Sequence, residues 1–151
     1  MDALPWLFME RVCLCLERES LRDGSSIVSI WRAVFSATRK KIHTLVVYVK
    51  DEKLYAAARP TFLNAYRELA PLDSVDLKFV TNFTINREHV PSSYKEITFN
   101  GLQKLFRSII PTSEGSPPVR YDYESRNHLR LFYTSTDFTV KLLSMRLPVD
   151  Q

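Results

Sequence analysis

The hydrophobic period changes at Ile42, and that change constrains the fold more than any other feature of the 151-residue chain. Before it, apolar residues recur every three or four positions, the repeat of one helix face. After it, His43-Thr44-Leu45-Val46-Val47-Tyr48-Val49 is a β-branched and apolar run of the kind that fills a strand. The two periods in separate blocks read as an α+β fold: two N-terminal helices over residues 1–41, then a small α/β body over residues 42–151.

In the first block, Leu4, Phe8, Val12, Cys15 and Leu16 form one apolar stripe, with Glu10, Arg11, Glu17 and Arg18 on the other sides. Pro5 falls near the first turn, where its missing N–H costs nothing. Residues 21–24 read as a break, and Ser25 or Ser26 can cap a second helix whose stripe is Ile27, Ile30, Trp31, Val34, Phe35 and Thr38.

In the second block, the first strand turns at Lys50-Asp51-Glu52-Lys53 and returns through residues 54–58 as a hairpin. Residues 61–69 fit a short helix, yet Arg59-Pro60 and Pro71 leave it little room. Leu77, Phe79, Phe83 and Ile85 alternate with polar residues as a strand with one buried side. That strand absorbs the Asn82-Phe83-Thr84 sequon. Phe99, Leu102, Leu105, Phe106 and Ile109 repeat at helical spacing, with Thr98 or Asn100 as cap. Residues 111–118 read as loop, and Leu129, Leu131 and Tyr133 alternate as a strand. Phe138, Leu142, Leu143 and Met145 fit a last helix capped by Ser135 or Thr136. A strand competes for residues 138–147, because Phe138, Val140 and Leu142 also alternate.

The chain lacks the parts of the common chemistries. Only Gly24, Gly101 and Gly115 occur, which argues against a phosphate-cradling glycine loop. His43, His89 and His128 are isolated, and Cys13 and Cys15 are the only thiols, so the spacing offers no zinc site. Two cysteines two apart on a helix diverge and cannot pair, which fits a reduced, intracellular protein, cytoplasmic or nuclear. The apolar run over residues 3–9 sits behind Asp2 and stops at Glu10 and Arg11, a poor signal peptide, and no apolar run is long enough to span a membrane. With no nucleophile elbow and no singled-out carboxylate pair, the expectation is a protein without catalytic residues, metal or cofactor.

Charge points to no strong partner. Lys and Arg number 21 against 17 Asp and Glu, a net +4 spread evenly along the chain. Arg39, Lys40 and Lys41 read as a solvated helix end favoured by the helix dipole. Tyr121 and Tyr123 with Arg120, Arg126 and Arg130 are the best basic and aromatic patch, and they carry the alternative reading, a small basic nucleic-acid-binding domain. Nucleic acid is otherwise an unfavoured partner at this charge.

The N-terminus is the informative segment. Leu4, Pro5, Trp6, Leu7 and Phe8 make more apolar surface than one short helix needs for its own core, and such surplus points to a partner groove. The bland reading stands beside it: both helices simply cover the α/β body.

Leu4-Pro5, the helix through Phe8, Val12 and Leu16, and Trp31-Arg32 resemble a degenerate F-box, the helical module that joins substrate receptors to Skp-type adaptors in cullin-RING ubiquitin ligases. The opening from Met1 to Val12 is similar to the start of the nematode family of F-box-like proteins with a divergent C-terminal half. Ile97-Thr98-Phe99 leading into Leu102, Leu105 and Phe106 resembles that family's strand-and-helix, leucine-rich-repeat-like body. A typical F-box has an acidic residue and a Leu/Ile pair where this chain has Trp6-Leu7-Phe8, and a cysteine shortly before its tryptophan, which is missing before Trp31. The resemblance implies a non-enzymatic substrate receptor. It assigns adaptor binding to Leu4, Pro5, Trp6, Phe8, Val12 and Trp31 and leaves the C-terminal half to bind a target protein.

Overall fold

In the computed structural model, residues 5–27, 29–62, 69–86, 94–109, 127–131, 134–145 and 147 are described. They form an α+β fold. Three helices come first: α1 (Trp6–Leu14), α2 (Arg18–Gly24) and α3 (Ile30–Lys41). The hairpin β1 (His43–Lys50) and β2 (Lys53–Pro60) follows, then β3 (Val80–Asn86), β4 (Lys95–Ile97), α4 (Phe99–Ile109), β5 (His128–Leu129) and α5 (Thr136–Leu143).

The strands make one five-stranded mixed sheet in the order β4-β2-β1-β3-β5. β2 runs antiparallel to both β1 and β4, whereas β3 runs parallel to β1 and to β5. The hairpin closes through Asp51 (φ 49°) and Glu52 (φ 58°), two consecutive left-handed residues. That turn geometry matches the right-handed twist of the flanking strands.

Directly paired residues share a face, so register sorts the sheet. Leu45, Val47 and Val49 of β1, Leu54 and Ala56 of β2, and Phe83 and Ile85 of β3 bury one face. Leu102 and Phe106 of α4 and Phe138 and Leu142 of α5 join them in the main core. The Phe83 and Phe106 rings meet edge to face at 4.4 Å, and Phe99 meets Phe138 at 5.1 Å. The other face carries Thr44, Tyr48, Tyr55, Asn82 and Thr84, where Arg18 of α2 donates to Asn82 Oδ1 at 3.1 Å. A second core belongs to the three helices: Met9, Cys13, Leu21, Val34, Phe35 and Ile42, with Trp31 and Phe62 packed against it.

Several expectations are corrected. The N-terminal helices number three, because residues 18–24 form α2 where a break is predicted. Leu21 and Gly24 are buried, and packing there overrides the low helix propensity of glycine. The cap of α3 is Ser29, whose hydroxyl accepts from Trp31 N at 3.2 Å. Ser25 and Ser26 cannot serve, since their amides donate to the Arg22 and Asp23 carbonyls and so close α2.

The stripe of α1 is also turned. Met9, Glu10 and Cys13 are buried, while Phe8 and Cys15 are exposed. α1 is apolar around most of its circumference, so spacing alone does not choose which side meets α3. Residues 77–79 form a 3₁₀ turn ahead of β3, because the Asp76 carboxylate accepts from Lys78 N at 3.1 Å.

Of the two alternatives for residues 138–147, helix wins over 138–143: Ser135 Oγ accepts from Phe138 N at 3.2 Å and starts α5. Thr98 caps α4 through Gly101 N at 3.0 Å. β4 is an addition that the sequence pattern does not announce. Residues 63–68 and 111–118 lie outside the described residues, as does Tyr133.

Candidate docking surface

Among the described residues, the first turn of α1 carries the largest run of exposed apolar side chains. Trp6 is 43% exposed, Leu7 68% and Phe8 51%, three consecutive residues. They start where Pro5, itself exposed, offers its carbonyl to Phe8 N and Met9 N. At 3.6 residues per turn, three consecutive residues spread over about 200° of the helix circumference. Only Met9 and Cys13, one turn apart, are needed to fill the groove against α3, which leaves the rest of the turn to solvent.

The six residues singled out in the sequence fare differently. Pro5, Trp6 and Phe8 are all exposed, but Trp6 and Phe8, two apart on a helix, point to different sides of it. Val12, one turn beyond Phe8, is half-buried. Trp31 is also half-buried, its ring 6.0 Å from that of Phe35, and it packs against the helical core. Leu4 lies outside the described residues. Two further apolar residues are exposed near the start of α3: Ile27 at 50% and Ile30 at 59%. Both sit on the stripe that spacing assigns to the core. The signal that could have freed them is the cap: with Ser29 as N-cap, Ile27 precedes the helix and Ile30 is its first residue.

Electrostatics hold α1 in place. Glu10 is buried beside Met9, where Lys41 Nζ approaches Oε2 at 2.7 Å and Lys78 Nζ approaches Oε1 at 3.3 Å. Burial alone raises a carboxyl pKa, but hydrogen bonds and charge from the two lysines outweigh it and hold Glu10 below the ordinary value. Lys78 is shifted up in return, chiefly by the same hydrogen bond. Burial pushes the Cys13 thiol up, with the Thr38 hydroxyl opposing, so this sulfur is a small packed hydrophobe with little thiolate character.

The remaining candidates are scattered among the described residues or lie outside them. Among the described residues, no three His, Cys, Asp or Glu side chains gather into a group that could hold a metal ion. Among the same residues, no helix is long and apolar enough to cross a membrane. Arg130 is exposed, whereas Arg120, Tyr121, Tyr123 and Arg126 of the basic and aromatic patch lie outside the described residues, as does His89. A smaller apolar pair, Val140 and Leu143, is exposed on α5 at helical spacing. No protein-family model, curated protein or solved structure matches the chain.

Proposed function

We propose that this chain is a non-enzymatic interaction module that docks a Skp-type adaptor of a cullin-RING ubiquitin ligase through α1, while the α/β body binds a protein target. One observation supports the reading: Trp6, Leu7 and Phe8 are all exposed in the first turn of the helix that the F-box resemblance assigns to the adaptor. Large aromatic side chains at the centre of an interface supply a disproportionate share of binding energy. Here Trp6 and Phe8 are the anchors, with Pro5 and Leu7 beside them and Val12 one turn beyond Phe8. Trp31, on α3, packs against the helical core. Such a receptor acts by proximity, raising the effective concentration of its target near the ubiquitin-transferring subunit.

The test is calorimetric titration of the full chain with a purified Skp-type adaptor. Binding is expected, and Trp6→Ala with Phe8→Ala is expected to weaken it at least tenfold with little change in melting temperature. No heat of binding at micromolar concentrations, or an affinity indifferent to both substitutions, removes the reading.

A further inference from the structure

The turn over residues 25–27, between α2 and α3, gathers two arginines that pair with no carboxylate among the described residues. Arg39 Nη1 donates to Ser25 Oγ at 3.0 Å, and the Arg39 Nε is buried without an acceptor. The same guanidinium lies 5.1 Å from the centre of the Phe62 ring. Arg32 reaches the turn from the opposite end of the loop: Nε donates to the Ile27 carbonyl at 3.2 Å and Nη2 to the Ser26 carbonyl at 3.4 Å. Each guanidinium has five N–H donors, and the neutral oxygens at this turn use only a few of them. Buried donors without acceptors are rare enough to call for a cause. Asp23, two residues before Ser25, is exposed.

We propose that Ser25 is a phosphorylation site whose phosphate is received by Arg39 and Arg32. A protein kinase transfers the γ-phosphoryl group of a nucleoside triphosphate. The Oγ–P bond forms, the bond from the γ-phosphorus to the bridging oxygen breaks, the nucleoside diphosphate leaves, and the hydroxyl proton passes to the kinase's base. Ser25 is half-buried on the turn that closes a seven-residue helix, a place where local opening is easy.

In the unmodified chain Ser25 Oγ donates to the Arg22 carbonyl and accepts from Arg39. Phosphorylation removes that proton and supplies strong acceptors. The Arg39 Nε then gains a partner, and Arg32 is drawn away from the carbonyls of Ser26 and Ile27. Because Ile27 and Ile30 border this turn, the modification changes how they are presented. That consequence rests on the docking reading above, whereas receipt of the phosphate does not.

The test installs phosphoserine at position 25 of the full chain by genetic encoding and follows its ³¹P resonance against pH. A phosphoserine ordinarily loses its second proton near pH 6. Paired with two guanidinium groups, it is expected to do so at least about half a pH unit lower than the same phosphoserine in a peptide of residues 20–30, which contains neither Arg32 nor Arg39. Arg32→Gln, at an exposed position that tolerates change, and Arg39→Gln are each expected to return part of the shift.

Identical titration in chain and peptide, or a shift indifferent to both substitutions, overturns the proposal. Treatment of the unmodified chain with an arginine-directed kinase and magnesium ATP is expected to place phosphate on Ser25, and phosphate on Ser26 alone rejects the assignment. Titration with inorganic phosphate is expected to leave the amides of residues 25–27 unmoved. Saturable binding there assigns the arginines to a free phosphate and overturns the covalent reading.

Discussion

Lys41 Nζ donates to Glu10 Oε2 at 2.7 Å, joining the last residue of α3 to a carboxylate buried on α1. Lys78, from the turn ahead of β3, takes the other oxygen of the same carboxylate at 3.3 Å. The two ammonium groups lie 4.9 and 4.7 Å from the centre of the Phe79 ring, so an aromatic face completes the node. Three segments far apart in sequence are thereby tied at one buried charge, which is costly to bury unless every partner is present.

This node contributes to stability on the acid side. The folded Glu10 carboxyl titrates below its unfolded value, so its contribution is fully present above the ordinary carboxyl range and is lost as pH falls through the folded pKa. Glu10→Gln is expected to cost about 1–2 kcal/mol at neutral pH and to flatten the loss of stability below about pH 5. Urea titrations between neutral and acid pH check this, and parallel pH curves for the two proteins would refute it.

Adjacent residues on α1 are expected to behave oppositely. Met9 is buried and Phe8 half exposed. Met9→Ala should cost about 2–5 kcal/mol by leaving a cavity, whereas Phe8→Ala should stay within about 0.5 kcal/mol, as surface changes do. Equal losses in chemical denaturation would mean that the helix is turned the other way.

Gly24 is required by contact with an aromatic ring. A Cβ at this position would stand 2.6 to 2.7 Å from three atoms of the Phe35 ring. Gly24→Ala is expected to lose about 1–3 kcal/mol through overpacking, despite the roughly 1 kcal/mol that alanine gains over glycine in a helix. Phe35→Leu on top of Gly24→Ala should recover part of the loss, a positive coupling in a double-mutant cycle. A stabilised Gly24→Ala would contradict the close approach.

The hairpin turn can be improved. Asp51 and Glu52 both hold left-handed backbone, which costs a non-glycine residue about 1–2 kcal/mol. Asp51→Asn with Glu52→Gly should stabilise the chain by about 1 kcal/mol, read as a melting temperature higher by about 2–4 °C. An unchanged or lower melting point would count against this turn type.

Local patterns were most legible where one period dominates and a polar residue marks the boundary. The hairpin and α4 behind Thr98 follow from period and cap, whereas at α5 the spacing fits strand as well as helix and the Ser135 cap decides it. α1 was misread because two apolar stripes compete on it, and only the groove offered by α3 decides between Met9 and Phe8. α2 was missed because its stability comes from Leu21 and Gly24 meeting Phe35, a contact between elements that no local window contains. Parallel pairing of β1 with β3, and the placing of β4 beside β2, are likewise long-range outcomes. At the candidate surface, Trp6 and Phe8 were legible as surplus, since one short helix cannot hide them. Trp31 was not, because a tryptophan can sit with one edge in a core and the other in water.

The two outer strands of the sheet are its shortest. β4 contributes three residues and β5 two, so neither described edge offers a long row of unpaired backbone groups to another chain. Short edge strands are a known safeguard against edge-to-edge aggregation, and they also deny a visiting peptide the template for strand addition. Among the described residues, most of the large apolar side chains open to solvent stand on helices, where a substitution leaves the sheet behind it undisturbed.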